Sequence, residues 1–163
     1  MRKIMIVDDN YLSAEGIEKN IDWEVLNAEI VHICYNGTSA IDAMKKEPVD
    51  LIISDIEMPD LDGISMSRQA LDINPMVKII LISAYDKFEY ARRALLLGAL
   101  DYIEKPLDYA YLIQKVKNAF ALMEREQKNL QLLKQSRPLL IEKFFRDITH
   151  LSLIHISEPT RRS

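Results

Sequence analysis

The sequence contains almost no cysteine, no long apolar run and no excess of basic residues. Cys34 is the only cysteine among 163 residues, which excludes an internal disulfide. It ends an apolar run, and this position favours a small buried hydrophobic side chain. No apolar run reaches the ~20 residues that a membrane-spanning helix needs. The 21 basic and 25 acidic residues give a net charge of −4, which does not indicate a nucleic-acid-binding surface on this chain.

The remaining composition is that of an ordinary soluble protein with a buried core. Apolar residues make up 48% and charged residues 28% of the sequence. The length suits one domain with an appendage. The N-terminus leads directly into a strand pattern, without a charged and apolar signal segment before it. The sequence therefore predicts a cytoplasmic protein with no membrane partner.

Apolar runs of strand length alternate with helix-length amphipathic segments five times. The runs cover residues 3–7, 29–34, 51–54, 78–83 and 101–104. The segments between them, and the segment that begins near Tyr109, carry apolar residues at helical spacing. This alternation predicts an α/β fold, with a parallel sheet covered by helices on both faces. In such sheets, ligands bind at the carboxyl ends of the strands.

Three carboxylates follow two of these apolar runs. Asp8 and Asp9 follow the first run and Asp55 follows the third. If the two strands end side by side, the three negative charges crowd together, which is unfavourable unless a cation neutralises them. Ser83 and Lys105 end two further strands. The sequence therefore predicts a divalent metal site that can hold a phosphoryl group.

The last forty residues differ in character from the rest. Residues 124–135 are polar and favour a helix, which could extend the fifth helix. After Pro138, apolar residues at helical spacing predict a short amphipathic helix, namely Ile141, Phe144, Phe145 and Ile148. Residues 151–163 fit neither helix nor strand periodicity. They resemble translated adaptor or vector sequence and are interpreted as non-native; the alternative is a native disordered tail.

Four segments occur in the order that is typical of the receiver domain of two-component response regulators, which residues 1–123 resemble. They are Asp8-Asp9, residues 53–63, residues 81–84 and residues 102–106. The resemblance implies a flavodoxin-like, doubly wound, five-stranded sheet in the order 2-1-3-4-5. Residues 83–91, 98–107 and 138–148 are similar to response regulators with an AraC-type (YesN-like) DNA-binding domain. That similarity implies that residues 124–150 are a helical linker toward a missing DNA-binding domain, through which alone DNA would be bound.

The resemblance also assigns roles at the acidic site. Asp55 would accept a phosphoryl group from a phosphohistidine on a sensor histidine kinase. Asp9, Asp55 and the backbone carbonyl of Glu57 would hold Mg²⁺ directly, and Asp8 would hold it through a water. Lys105 would pair with a phosphoryl oxygen. The chain would then be a switch that catalyses only its own phosphotransfer and dephosphorylation, and not an enzyme acting on a separate substrate.

The switch itself is expected to involve Ser83 and Tyr102. Ser83 would move toward the phosphoryl group and the Tyr102 ring would enter the space left behind. This movement would alter the face of the fourth helix, fifth strand and fifth helix, where a homodimer is expected. Glu57 and Tyr85 occupy positions where the family tunes the lifetime of the phosphoryl group. The resemblance implies a cis peptide bond before Pro106, whereas base rates favour trans.

Simpler structural interpretations exist for several of these residues. Asp8 and Asp9 could lie in a solvated loop, and Asp9 or Asn10 could cap a helix. Tyr102 could be an ordinary strand aromatic. Two acids in residues 59–63 fit a turn, namely Asp60 and Asp62. His32 and Cys34 have a spacing that two metal ligands could use, but core packing explains them better. Lys87, Arg92 and Arg93 indicate a solvated helix face, with dimer contacts as the alternative.

Two other functional classes fit the sequence less well. A phosphatase of the haloacid-dehalogenase type needs an aspartate two residues after its nucleophile, where this chain has Glu57. It also carries its nucleophile on the first strand. A flavodoxin-like cofactor module needs hydroxyls and free amides after the first strand to bind phosphate. The acids Asp8 and Asp9 would repel that ligand.

Overall fold

The structure, a computed structural model, describes residues 1–84, 88–135 and 146. The chain divides into two compact units, residues 1–119 and 120–163. Five strands and five helices alternate within the described residues. The strands are β1 (Arg2–Val7), β2 (Ala28–Cys34), β3 (Leu51–Asp55), β4 (Lys78–Ser83) and β5 (Asp101–Glu104). The helices are α1 (Tyr11–Asn20), α2 (Gly37–Lys46), α3 (Gly63–Ile73), α4 (Phe88–Leu97) and α5 (Tyr109–Gln135).

The five strands form one parallel sheet in the order β2-β1-β3-β4-β5. This order confirms the predicted flavodoxin-like topology. The predicted strands agree with the observed ones within one residue at each end, and β3 includes Asp55. The register pairs Val7 with Ser54 and Asp55 with Ile82, so the carboxyl ends of the three central strands lie at the same edge.

The core explains why the strand sequences are almost continuously apolar. Every residue of β3 is buried, as are five of the six residues of β4. Helices cover both faces of the sheet, so neither face of a central strand can carry polar side chains at low cost. The largest fully buried side chains include four isoleucines on the two central strands β3 and β4, namely Ile52, Ile53, Ile79 and Ile80.

Side-chain caps fix where three of the helices begin. Asn10 caps α1, Asn36 caps α2 and Asp62 caps α3, each accepting hydrogen bonds from backbone N–H groups of the first turn. Asp60 has a φ of 69°, which fits the turn interpretation of residues 59–63.

The C-terminal part of the chain is described only as far as α5. This helix continues to Gln135, so residues 124–135 are helical, as predicted. The amphipathic helix predicted for residues 138–148, apart from Arg146, and the tail of residues 151–163 lie outside the described residues. No helix in the described part of the chain combines the length and apolarity that crossing a bilayer requires.

Candidate metal and phosphoryl site

Three aspartates meet at the carboxyl edge of the sheet. Asp8 and Asp9 follow β1, and Asp55 is the last residue of the neighbouring strand β3. Carboxylate oxygens of the three side chains all lie within 4.8 Å of one another. Asp8 and Asp55 are buried, whereas Asp9 is exposed. The structure therefore brings together the three carboxylates that the sequence singled out.

Lys105 extends from the end of β5 toward the same cluster. Its Nζ lies 3.6 Å from Asp8 Oδ2 and 3.7 Å from Asp55 Oδ2. The backbone N–H of Lys105 donates to the Ser83 carbonyl at 2.7 Å, which ties the end of β5 to the end of β4. The peptide bond between Lys105 and Pro106 is cis. One ammonium group is thus shared between two buried carboxylates.

The site is electrostatically unfavourable for ionised carboxylates. Burial is the main cause that raises the pKa of Asp55 to about 6, and the charges of Asp8 and Asp9 raise it further. Lys105 and a backbone hydrogen bond from Glu57 lower this pKa, but only in part. The pKa of Asp8 is also raised, again chiefly by burial. A bound cation would relieve this crowding.

Backbone contacts hold the two acidic loops in place. The N–H of Asp8 donates to the Cys34 carbonyl at 3.0 Å. Asp8 Oδ1 accepts a hydrogen bond from the Asn10 N–H at 2.9 Å. On the other side, the loop after β3 returns so closely that a Cβ on Gly63 would overlap the Asp55 carbonyl oxygen and lie 2.9 Å from Ile56 Cα. Glycine is therefore required at position 63 by close backbone approach.

The other predicted site residues lie on neighbouring segments. Ser83 is fully buried at the end of β4. Tyr102 lies on the adjacent strand β5, opposite Leu81, and is half-buried against the core. Glu57 lies in the loop after Asp55. Tyr85, the second residue predicted to tune the phosphoryl group, lies outside the described residues.

The donor set fits a hard divalent cation. Mg²⁺ prefers oxygen ligands and takes only a few carboxylates. Asp55 Oδ1 is buried and has no hydrogen-bond partner among the described residues, as expected of an oxygen that serves a ligand. In the described part of the chain, this is the only cluster of three or more potential metal ligands.

His32 and Cys34 do not join a metal cluster. Cys34 is buried, with its Sγ 3.9 Å from Met5 Sδ, which agrees with core packing. His32 is only half-buried, and its Nε2 lies 2.9 Å from the Glu47 carbonyl oxygen. The His32 ring thus contacts the residue that follows α2, and His32 belongs to no cluster of potential metal ligands among the described residues.

Sequence reasoning missed two features of the site. One is the close approach at Gly63, which only a glycine eight residues after Asp55 could have suggested. The other is a tilted contact between the rings of Tyr11 and Tyr35, whose centroids are 4.1 Å apart. Tyr11 begins α1 and Tyr35 follows β2, and no sequence pattern links them.

Comparison with known proteins gives a consistent family assignment. The response regulator receiver domain family matches residues 4–117. The transcriptional regulatory protein YesN of Bacillus subtilis is 29% identical over 126 residues, which are 77% of this chain and 34% of YesN. The transcriptional regulatory protein HptR of Staphylococcus aureus is 32% identical over 69% of this chain and 44% of HptR. The chain thus spans less than half of the length of these relatives.

Solved structures show the same fold. The receiver domain of AraT, a response regulator from Geobacillus stearothermophilus, superimposes with a TM-score of 0.73 at 34% identity, covering 77% of this chain and 98% of that domain. Motif order, sheet topology and residue matches agree. The chain therefore belongs to the response regulator receiver domain family and contains the receiver, a signalling domain, of a two-component response regulator.

Proposed function

We propose that this receiver is a phosphorylation-dependent switch in which Asp55 accepts a phosphoryl group from a phosphohistidine on a sensor histidine kinase. The observation that carries the proposal is the cluster itself. Three carboxylates lie within 4.8 Å of one another, and Lys105 Nζ is within 4 Å of two of them. A nucleophile, a cation site and a fixed ammonium in one pocket are the parts that phosphoryl transfer requires.

The cation is proposed to be Mg²⁺. Asp9, Asp55 and the backbone carbonyl of Glu57 would hold it directly, and Asp8 would hold it through a water. The unpartnered buried oxygen of Asp55 and the raised pKa values of Asp8 and Asp55 support a site built for a cation. When bound, Mg²⁺ would neutralise the carboxylates and the oxygens of the incoming phosphoryl group.

Phosphoryl transfer would then use the side chains of this chain as follows. A carboxylate oxygen of Asp55 attacks the phosphorus, and the bond between phosphorus and the donor imidazole nitrogen breaks with its electron pair left on the nitrogen. The Lys105 ammonium, already beside Asp55, pairs with a phosphoryl oxygen as a point charge. Asp55 must be ionised to attack, and a cation bound beside it would favour the ionised carboxylate. The chain would catalyse only this transfer and its own dephosphorylation.

The switch is proposed to run through β4 and β5. Ser83 would donate its hydroxyl to the phosphoryl group, and the Tyr102 ring would move inward. Ser83 is the last residue of β4, and Tyr102 lies on the adjacent strand β5. This proximity supports a movement that involves both residues. The face of α4, β5 and α5 would change as a result, and a homodimer through this face is the proposed readout.

The protein is proposed to be cytoplasmic and, in its full length, to regulate transcription. YesN and HptR are transcriptional regulatory proteins, and both are more than twice as long as the part that matches this chain. We therefore propose that residues 124–150 link the receiver to an AraC-type DNA-binding domain.

Intact-mass measurement after incubation with acetyl phosphate and Mg²⁺ tests the proposal. One added phosphoryl group is expected, and it should be labile to hydroxylamine. It should be absent in Asp55→Asn and in the presence of a chelator, but present in the matched control Asp72→Asn, which alters an exposed aspartate. Phosphate incorporation into Asp55→Asn would overturn the assignment of the acceptor, and incorporation despite chelation would overturn the role of the metal.

A further inference from the structure

The rim of the acidic site carries an aromatic contact that the proposed function does not use. The rings of Tyr11 and Tyr35 lie 4.1 Å apart between centroids, at an interplanar angle of 35°. Tyr11 is 66% exposed and Tyr35 is 37% exposed. Tyr11 begins α1, two residues after Asp9, and Tyr35 directly follows β2. The contact therefore joins the loop that bears the acidic pair to the loop after β2.

Asp9 is the carboxylate with the weakest support. Asp8 accepts a hydrogen bond from Asn10 and pairs with Lys105, and Asp55 also pairs with Lys105. Among the described residues, the exposed Asp9 side chain has no hydrogen-bond or ion-pair partner. Repulsion from Asp8 and Asp55 would drive this side chain outward unless the backbone that carries it is held.

The end of β2 holds that backbone at two points. The Cys34 carbonyl accepts the Asp8 N–H at 3.0 Å, and the next residue, Tyr35, places its ring on Tyr11. Only Asp9 and Asn10 lie between these two contacts. The segment that carries Asp9 is thus held on both sides by two consecutive residues, the last residue of β2 and the residue after it.

The loop after β2 is itself packed against a third loop of the site. A Cβ on Gly37 would lie 2.5 Å from the Leu61 carbonyl oxygen and 2.8 Å from Leu61 Cβ, so the two backbones are in close contact. Leu61 belongs to the loop between Asp55 and α3. Tyr35 therefore lies two residues before a position that packs closely against the loop that carries Glu57 and Leu61.

We propose that the contact between the rings of Tyr11 and Tyr35 positions Asp9 for the divalent cation. The two tyrosines are positioning residues, since they act through the backbone of residues 9–11. This inference rests on the proposed function, because it takes the acidic cluster to be a Mg²⁺ site. An aromatic pair contributes the equivalent of about two- to twelvefold in an equilibrium constant. The contact can therefore alter the affinity for Mg²⁺ by up to about tenfold.

The test is calorimetric titration of the full 163-residue chain with Mg²⁺ alone, without a phosphoryl donor. We expect Tyr35→Ala and Tyr11→Ala each to weaken Mg²⁺ binding about three- to tenfold, because each removes the ring contact. The double variant should be no more than about twofold worse than either single variant, because both remove one shared contact. Tyr35→Phe keeps the ring and should bind within about twofold of the unaltered protein.

A matched control distinguishes a positioning role of the tyrosines from a general loss of fold stability. Tyr111→Ala removes a tyrosine that is 47% exposed on α5 and should leave Mg²⁺ affinity unchanged. Urea unfolding in a chelator measures the stability of each variant in the absence of metal. If Tyr35→Ala loses only stability in chelator while binding Mg²⁺ within about twofold of the unaltered protein, the role is structural and the inference is overturned. Weakening by Tyr35→Phe or Tyr111→Ala as large as that by Tyr35→Ala would overturn it as well.

Asp9→Asn distinguishes failure of the inference from failure of the metal site. If Asp9→Asn loses Mg²⁺ binding and both Tyr→Ala variants retain it, the positioning role of the two tyrosines is refuted and the metal site is not. If the unaltered protein binds no Mg²⁺, the inference and the metal part of the proposed function fall together.

Discussion

Replacing the buried carboxylate Asp55 by an amide is expected to stabilise the receiver at neutral pH in the absence of metal. Burial and the neighbouring charges of Asp8 and Asp9 raise the pKa of Asp55 from 3.8 to about 6, despite the nearby Lys105. A carboxylate whose pKa is higher in the folded than in the unfolded state destabilises the fold when ionised. Asp55→Asn removes this charge and keeps the shape of the side chain.

The magnitude follows from the change in pKa. Each pH unit between the unfolded and folded pKa values corresponds to about 1.4 kcal/mol, so ionisation of Asp55 costs about 3 kcal/mol at neutral pH. The pKa of about 6 already includes the attraction between Asp55 and Lys105, so this attraction is not subtracted again. We therefore expect Asp55→Asn to raise the free energy of unfolding by up to about 3 kcal/mol.

The gain should depend on pH in a defined direction. Below about pH 4, Asp55 is protonated in both states, and the variant should have almost no advantage. Between about pH 4 and pH 6, the unfolded state loses its proton and the folded state keeps it, so the unaltered protein loses stability relative to the variant. Above about pH 6, the difference in the free energy of unfolding between the variant and the unaltered protein should be constant.

Urea unfolding in a chelator at pH 4 and pH 7.5 checks this expectation. Trp23, the only tryptophan, is buried in the receiver unit and reports its unfolding by fluorescence. The exposed Asp72→Asn serves as the matched control and should change stability little at either pH. Added Mg²⁺ should reduce the difference in stability between Asp55→Asn and the unaltered protein, because Mg²⁺ binds the carboxylates of the folded unaltered protein. A destabilised Asp55→Asn at pH 7.5, or a gain that is equal at both pH values, would refute the reasoning.

Three further substitutions test other parts of the site. Lys105→Ala should raise the pKa of Asp55 further and slow phosphate incorporation from acetyl phosphate. Lys117→Ala, which alters an exposed lysine, should leave the rate of incorporation unchanged, and equal rates in the two variants would contradict the role of Lys105. Gly63→Ala places a Cβ against the Asp55 carbonyl and should lower the free energy of unfolding by about 2 kcal/mol or more in urea; a neutral result would mean that the loop can move away. Asn36→Ala removes the cap that accepts from the Ser39 N–H at 2.7 Å and should cost about 1 kcal/mol, whereas Asn36→Asp should retain most of the stability; an equal loss in both would exclude a capping role.

The fold was predictable because burial determines the pattern of the strands. β3 and β4 are covered on both faces, and their sequences are accordingly apolar from end to end. Alternation with helical spacing then defines a parallel sheet, whose carboxyl ends must share one edge. Asp8, Asp9 and Asp55 could therefore be placed at one edge, since each follows or ends a strand there. That β1 and β3 are neighbours, which brings the three into one pocket, was implied only by the family resemblance.

Contacts between loops were not predictable, because they depend on positions that leave no periodic signal. Tyr11 and Tyr35 are 24 positions apart, at the start of α1 and just after β2. Their ring contact depends on how β1 pairs with β2, and this pairing includes a register irregularity between Ile4 and Met5. The requirement for glycine at Gly63 depends on how closely one loop returns to β3. Composition and spacing carry no information about such distances.

The repulsion between the buried carboxylates affects both the stability of the fold and its response to a change of charge in the acidic cluster. Asp8 and Asp55 have raised pKa values because the fold holds them buried and close together, so the folded state is under repulsion that a cation would relieve. A rigid fold is needed to maintain this arrangement, and backbone contacts at Cys34 and Gly63 are part of that rigidity. Because the repulsion is present before any ligand binds, a change of charge in this pocket alters the balance of forces on both loops and on the end of β5 through Lys105. A change of charge in the acidic cluster would therefore act on Lys105, which directly follows β5, the strand that carries Tyr102.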